Sequence, residues 1–399
     1  MGAFVKEQSR ETEVYGEYDV VVCGGGIAGI AAALAAARSG VKTALVENGY
    51  MLGGLATAGL IAVYLPLCDG MGNQLSFGIA EELLRLSVLH GGENSEQKFA
   101  TGWLKEGTAE DRKKYRFEVQ YNPHVFAILA EQLLLKEGVD ILYGGMLTGV
   151  EMQGDKIAKI TVSTRTANLT YSAKSFVDCT GDAVLCDYAG EKTALSEMGN
   201  ALAAWYYETI DGEYTLRMHG SCDYVYAEGG AKNAFVGLDA RELSDVTVRS
   251  HESLLQDFLK KGGVSKAHGL STIASIPQVR MTRRLCGVAE MEKLDDKKRF
   301  EDSVGLFGSW LESGYAFELP IGTLYGERVK NLTVAGRCIS VKGNDMWDIT
   351  RVIPVCAQTG EAAGLIAALY QNTDEIDVQR VQGILSERGV KLHLDEVYK

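Results

Sequence analysis

The chain has 8 cysteines but no CxxC pair. A redox-active paired disulfide therefore has no basis in the sequence. Nor do the cysteines show ligand-like spacing, so nothing supports an iron–sulfur cluster or another metal centre. Basic charge is in deficit: 40 Lys and Arg stand against 53 Asp and Glu, a formal net charge of −13. That balance argues against nucleic acid as a partner. The short basic runs Arg112-Lys113-Lys114 and Lys297-Lys298-Arg299 each adjoin acids and read as solvated faces. Long apolar runs are missing too, because the alanine-rich helices are broken by glycine, and no membrane partner is expected. Met1 to Glu17 is polar without an apolar signal core, and Lys6 stands where myristoylation wants Ser or Thr. A cytoplasmic protein with reduced, structural thiols is the expectation. With 399 residues, 46% hydrophobic and 23% charged, the chain suits two domains or one domain with an insertion.

What is present is concentrated between Tyr18 and Glu47. Asp19-Val20-Val21-Val22-Cys23 is a β-branched run that reads as a buried parallel strand. It ends in Gly24-Gly25-Gly26-Ile27-Ala28-Gly29, and an alanine-rich helix follows to Ser39, with Gly40 as its left-handed cap. Thr43-Ala44-Leu45-Val46 is a second strand, ending at Glu47. Gly24 suits a tight turn and Gly26 a close approach to a pyrophosphate, while Gly29 and Ala33 suit close helix–strand packing. The helix N-terminus offers free N–H groups to phosphate. Glu47 is spaced to accept from a ribose 2′-OH and would repel a 2′-phosphate. The alternative is a glycine-rich turn in an ordinary βαβ unit.

Beyond this unit, Met51 to Gly59 is a small-residue loop suited to a flat ligand. Ser76–Leu89 has helical periodicity, and Gly91–Glu110 reads as an exposed polar excursion. Asn122-Pro123 starts a helix to about Lys136. Val139–Tyr143, Leu147–Met152, Ile157–Ser163, Leu169–Tyr171 and Ser175–Asp178 read as a small antiparallel meander. From Glu191 to about Tyr325 the βαβ rhythm is lost, with a helix around His251–Lys261. Asn331–Gly336 is an apolar strand ending in glycine, Pro354–Tyr370 a small-residue helix, and the tail from Asp377 a last amphipathic helix. The predicted fold is α/β: a Rossmann-like domain with parallel sheet and meander (1–75, 111–190 and 326–399), plus an α+β substrate domain (76–110 and 191–325).

The opening unit, Leu52-Gly53-Gly54-Leu55-Ala56-Thr57, Val177-Asp178-Cys179-Thr180-Gly181-Asp182 and Val334-Ala335-Gly336-Arg337-Cys338 occur in an order that resembles the FAD-dependent oxidoreductase family. Its relatives are the fumarate-reductase-type and glutathione-reductase-type flavoproteins. Pro277 to Arg284, Arg351 to Pro354 and Gln358 to Gly364 resemble further family segments. The resemblance implies non-covalent FAD. Gly24, Gly26 and Ala28 would hold the pyrophosphate, with Glu47 and its neighbour Asn48 at the adenosine ribose. Leu147 would meet the adenine edge, and Gly54 and Thr57 the flavin or ribityl chain. Thr180, Gly181 and Asp182 would lie beside the adenosine half, and Gly336 beside the ribityl–phosphate half. Arg337 follows that glycine where many relatives have Asp, so no Asp contact is expected there. The helix from Ile353 would aim its N-terminus at the flavin N1/C2 carbonyl.

A flavoenzyme must set a substrate against flavin N5. Arg280, Arg283 and Arg284 are candidates to hold a substrate carboxylate. Strand alternation would put Arg280 and Arg284 on one face, with Arg283 on the other; ion pairs with acids such as Asp302 or Glu290 are the alternative. Arg351 is a candidate to stabilise reduced flavin or an oxyanion. No His follows Ala335-Gly336-Arg337 closely, and Asp345, Asp348 and Tyr315 are weaker candidates for proton transfer. No second GxGxxG appears, so a built-in NAD(P)H domain is not expected. The leading reading is an FAD-dependent oxidoreductase acting on a small organic molecule, a carboxylate or polyhydroxylated compound among the candidates, by hydride transfer at N5. Its electron acceptor or donor and oligomeric state stay open. Alternatives are an NAD-dependent dehydrogenase and a flavin-binding sensor or non-redox module.

Overall fold

The computed structural model describes residues 11–90, 108–220 and 235–398. Most of the expected polar excursion, and Cys222, lie outside the described residues. Five strands run parallel in the order Asp140–Tyr143, Thr43–Glu47, Glu13–Cys23, Asn168–Asp178 and Leu332–Val334. Val22 sits in register between Leu45 and Val177. Val20, Val21 and Val22 are all fully buried, so both sheet faces are covered. Thr43–Glu47 lies on one side of the first strand, and Asn168–Asp178 with Leu332–Val334 on the other. The carboxyl ends beside that reversal form a crevice, the usual ligand position in such sheets. Gly24, Asn48, Cys179 and Ala335 each follow a strand directly into it.

Lys156–Ser163 pairs antiparallel with Asn168–Asp178, and Met146–Gln153 pairs antiparallel with Lys156–Ser163, so the meander forms as expected. Two details differ. Leu169–Tyr171 and Ser175–Asp178 are one continuous strand. Asp140–Tyr143 joins the parallel sheet instead, because the Pro123–Lys136 helix makes it the end of a crossover.

The Ile27–Ala37 helix packs against Ile353–Leu369, which is buried from Ile353 through Ala367. Side chains at Gly360 and Gly364 would overlap the carbonyls of Ala28 and Ala32, so small residues set this close approach. The Ile79–Ser87 helix is shorter than its periodicity predicts, since Gly78 takes φ +60 and starts it late. Its Leu83 and Leu84 enter the same core.

The later region is α+β. Tyr206–Ile210 pairs antiparallel with Glu213–Arg217 and His268–Ile273. The Ala240–Lys260 helix buries Val246, Leu254 and Phe258. It begins well before His251 because Asp239 caps the amides of Arg241 and Glu242. Among the described residues no single helix is long and apolar enough to cross a membrane; Asn344–Thr350 and Ile353–Leu369 qualify only as a pair bent by 80°.

Candidate cofactor site

Gly24 ends the opening strand at φ +100, with its Cα against the Cys179 carbonyl. A side chain at Gly29 would overlap the Gly24 carbonyl, so the helix starts directly over the turn. That helix has Gly26 at its N-cap, no capping side chain and no acid in its first turn. Its N–H groups are therefore left to an anion in the crevice.

Glu47 closes one end. Its Oε2 accepts the Gly25 amide and its Oε1 the Gly49 amide, each at 2.6 Å. Burial raises its carboxyl pKa, while the Gly49, Gly25 and Asn48 amides work in the opposite direction. Each oxygen keeps accepting capacity for a ribose hydroxyl. Gly145 donates to the Glu47 carbonyl at 3.0 Å, bringing Met146 and Leu147 to the same wall.

Along the crevice, Gly53 donates to the Gly25 carbonyl at 2.8 Å and lays the small-residue loop beside the first turn. Thr57 is fully buried and donates to the Leu52 carbonyl, so it shapes this loop from behind. Asp178 accepts the Thr180 amide at 3.0 Å and hydroxyl at 2.7 Å, which holds the Thr180-Gly181-Asp182 turn. The Gly336 amide donates to Thr359 at 2.9 Å, and its Cα faces the Ala28 methyl.

At the far end the Ile353–Leu369 helix points an N-terminus without a side-chain cap at the crevice. Arg351 precedes it and gives Nε and Nη2 to one oxygen of buried Asp348. Cys356 donates its thiol to the Arg351 carbonyl at 3.2 Å. Burial pushes that thiol up to about 12, which makes it a poor nucleophile.

These parts enclose a cavity of about 510 Å³. Gly24, Gly26, Ala28, Glu47, Asn48, Gly54, Leu147, Thr180, Gly181, Asp182, Gly336, Arg337 and Ile353 all line it; Thr57 does not. Arg351, the candidate for reduced flavin or an oxyanion, lines it, while Arg280, Arg283 and Arg284, the candidates for a substrate carboxylate, do not. Arg280 is buried, donates to the Gln278 carbonyl at 2.8 Å and lies over Trp205. Arg283 pairs with Asp187 at 2.6 Å and donates to the Asp182 carbonyl at 2.9 Å. Arg284 pairs with Glu290 at 2.9 Å, the acid named as its alternative partner. The alternation expected across Arg280 to Arg284 is not realised, since the strand spans only Arg283–Leu285. Arg280 and Met281 instead donate their amides to the side chain of Asn200. Sequence reasoning missed the apolar wall of Leu243, Ile276, Pro277 and Val279. Pro277 and Val279 shortly precede Arg280 in the sequence, but isolated apolar residues in an irregular segment carry no signal of the surface they face.

A family model described as FAD dependent oxidoreductase matches residues 19–228 and 197–385. The chain belongs to this family. FAD, not the nicotinamide of the alternative, is the cofactor of this family. The cradle fits that cofactor: a helix N-terminus for the diphosphate, a carboxylate for a ribose, and a second helix N-terminus at the opposite end. A thioredoxin reductase of Ureaplasma parvum serovar 3 is 37% identical over 71 residues, 18% of this chain and 23% of that protein. The match therefore spans less than a quarter of the curated relative's length. Among solved structures, the geranylgeranyl bacteriochlorophyll reductase-like protein of Thermoplasma acidophilum is 16% identical with a TM-score of 0.45, covering 95% of this chain and 84% of that one. The 3-ketosteroid-delta4-(5alpha)-dehydrogenase of Rhodococcus jostii RHA1 is 15% identical with a TM-score of 0.42, over 90% and 98% respectively.

Proposed function

We propose that this flavoprotein oxidises or reduces a small organic substrate by hydride transfer at flavin N5. The observation that carries the reading is the meeting, on one cavity, of the Ile353 helix N-terminus and Arg351 with the wall of Leu243, Ile276, Pro277 and Val279. FAD when bound supplies the two-electron centre. The helix N-terminus and Arg351 set positive potential at the end where negative charge develops on reduction. The apolar wall excludes water from a substrate held against the ring. Asp348 fixes the Arg351 guanidinium, so its direction is set before substrate arrives. Arg280, Arg283 and Arg284 do not line the cavity, so Arg351, which does while held by Asp348, is the arginine of the expected set placed to orient a substrate carboxylate or hydroxyl. The discontinuous FAD domain and the 76–110 plus 191–325 substrate domain remain part of the proposal.

The test is anaerobic titration of the FAD-loaded protein with a panel of carboxylates, polyols and unsaturated acids, followed at the visible flavin bands. Bleaching by one member, reversed by an acceptor, supports the reading. A flavin reducible by dithionite but by no member, and never reoxidised by an unsaturated one, favours a non-redox module.

A further inference from the structure

Three glycine turns lie along one wall of the cavity, and one of them, at Gly181, packs against the guanidinium of Arg337. The Cα of Gly336 faces the Ala28 methyl in the first turn of the opening helix, and Gly24 packs against Cys179 and Thr180. Gly181, at φ +79, lies directly beneath the Arg337 guanidinium, which fills the space a side chain would take. Arg337 therefore stands where the diphosphate cradle meets the adenosine-side turn, and it lines the cavity.

The charges of the two cavity arginines are compensated differently. Arg351 gives two donors to buried Asp348. Arg337 meets Asp182 at 3.4 Å, and that same oxygen already takes the Thr282 hydroxyl at 2.7 Å. The second arm of Arg337 donates to the Val279 carbonyl at 2.9 Å. Val279 belongs to the 275–283 segment, which crosses the cavity wall and is pinned elsewhere by protein contacts. Gln278 reaches the Gly59 carbonyl at 2.6 Å, and Asn200 holds Arg280 and Met281. A planar fork with one arm on this segment, lining the cavity beside the phosphate cradle and carrying further N–H donors in its plane, suits a bridging role that a single ammonium does not.

We propose that Arg337 is a positioning residue that clasps the FAD diphosphate to the 275–283 segment, so that cofactor binding fixes the wall of the substrate cavity. The inference rests on the family's FAD and not on the substrate or N5 reading.

The test uses the full-length protein with FAD removed and restored, as wild type, Arg337→Gln and Arg337→Lys. FAD affinity is read by quenching of flavin fluorescence, and amide hydrogen exchange is followed on peptides spanning 275–283 with and without FAD. Expected is a 10- to 100-fold rise in Kd for Arg337→Gln, the size of losing a charge-assisted bond to phosphate. FAD should slow exchange in 275–283 in the wild type and not in Arg337→Gln. Arg337→Lys should keep part of the affinity yet lose that protection, and it carries the test should the glutamine variant not fold. A Kd within twofold of wild type in Arg337→Gln, or undiminished protection in Arg337→Lys, overturns the clasp alone. A wild type that binds no FAD overturns the clasp and the flavin reading together.

Discussion

The Cα of Gly29 faces the carbonyl oxygen of Gly24 with no room for a methyl group between them. Helix and turn are thereby locked at the distance that presents the helix N–H groups to a phosphate. Gly29→Ala must push the helix away or open the turn. A loss of about 1–3 kcal/mol is expected from overpacking alone, together with weaker FAD binding. Urea unfolding with and without FAD measures both; unchanged stability and affinity would show that the turn yields freely.

Glu47 offers one oxygen to each of two amides. Glu47→Gln keeps one acceptor and turns an NH2 group toward the other donor. FAD affinity should fall roughly 5- to 30-fold, the equivalent of about 1–2 kcal/mol. Fluorescence titration decides it, and an unaltered Kd would remove Glu47 from the ribose site.

Glu361 lies buried in the middle of the Ile353–Leu369 helix and accepts the Ile79 amide at 2.8 Å. Burial raises its carboxyl from 4.5 to about 7, opposed by the Ile79 bond and the guanidiniums of Arg388 and Arg38, and assisted by Glu82. The folded state thus holds this proton more tightly than the unfolded chain. The associated stability is present below about pH 4.5 and lost as pH rises through about 7, on the order of 3 kcal/mol. Glu361→Gln keeps an oxygen for Ile79 but cannot ionise. Its stability relative to wild type should therefore climb between pH 5 and pH 8, as read by denaturant midpoints. Parallel profiles would mean that Glu361 does not titrate in that window.

Arg351 stands at the N-terminus of the Ile353 helix, held by Asp348. Arg351→Gln removes a positive charge from the end proposed for the flavin N1/C2 edge. The two-electron midpoint potential should become more negative by on the order of 30–60 mV, or about 1.4–2.8 kcal/mol. Spectroelectrochemistry of the loaded protein gives the number; an unchanged potential would place the ring elsewhere.

The nucleotide cradle was legible residue by residue because its requirements are local. Gly24, Gly26 and Gly29 answer backbone geometry, and Glu47 follows at the end of the next strand. The resemblance added Leu147, Gly181, Gly336 and Ile353, and all four line the same cavity. The arginine-rich segment was less legible for a physical reason. A guanidinium states a capacity for carboxylates but not which carboxylate it meets, and Arg283 and Arg284 meet Asp187 and Glu290 of the protein itself.

Chain chemistry alone determined the α/β class, the opening pair of parallel strands and the glycine turn over the helix N-terminus, because hydrophobic period and glycine placement act over a few residues. Tertiary structure alone decided that Arg337 rests on Gly181, that Glu361 lies under the Ile79 helix and that Val279 walls the cavity. Each of those contacts joins residues more than 150 positions apart, or segments with no shared period, and only the packing of the sheet and its helices brings them together.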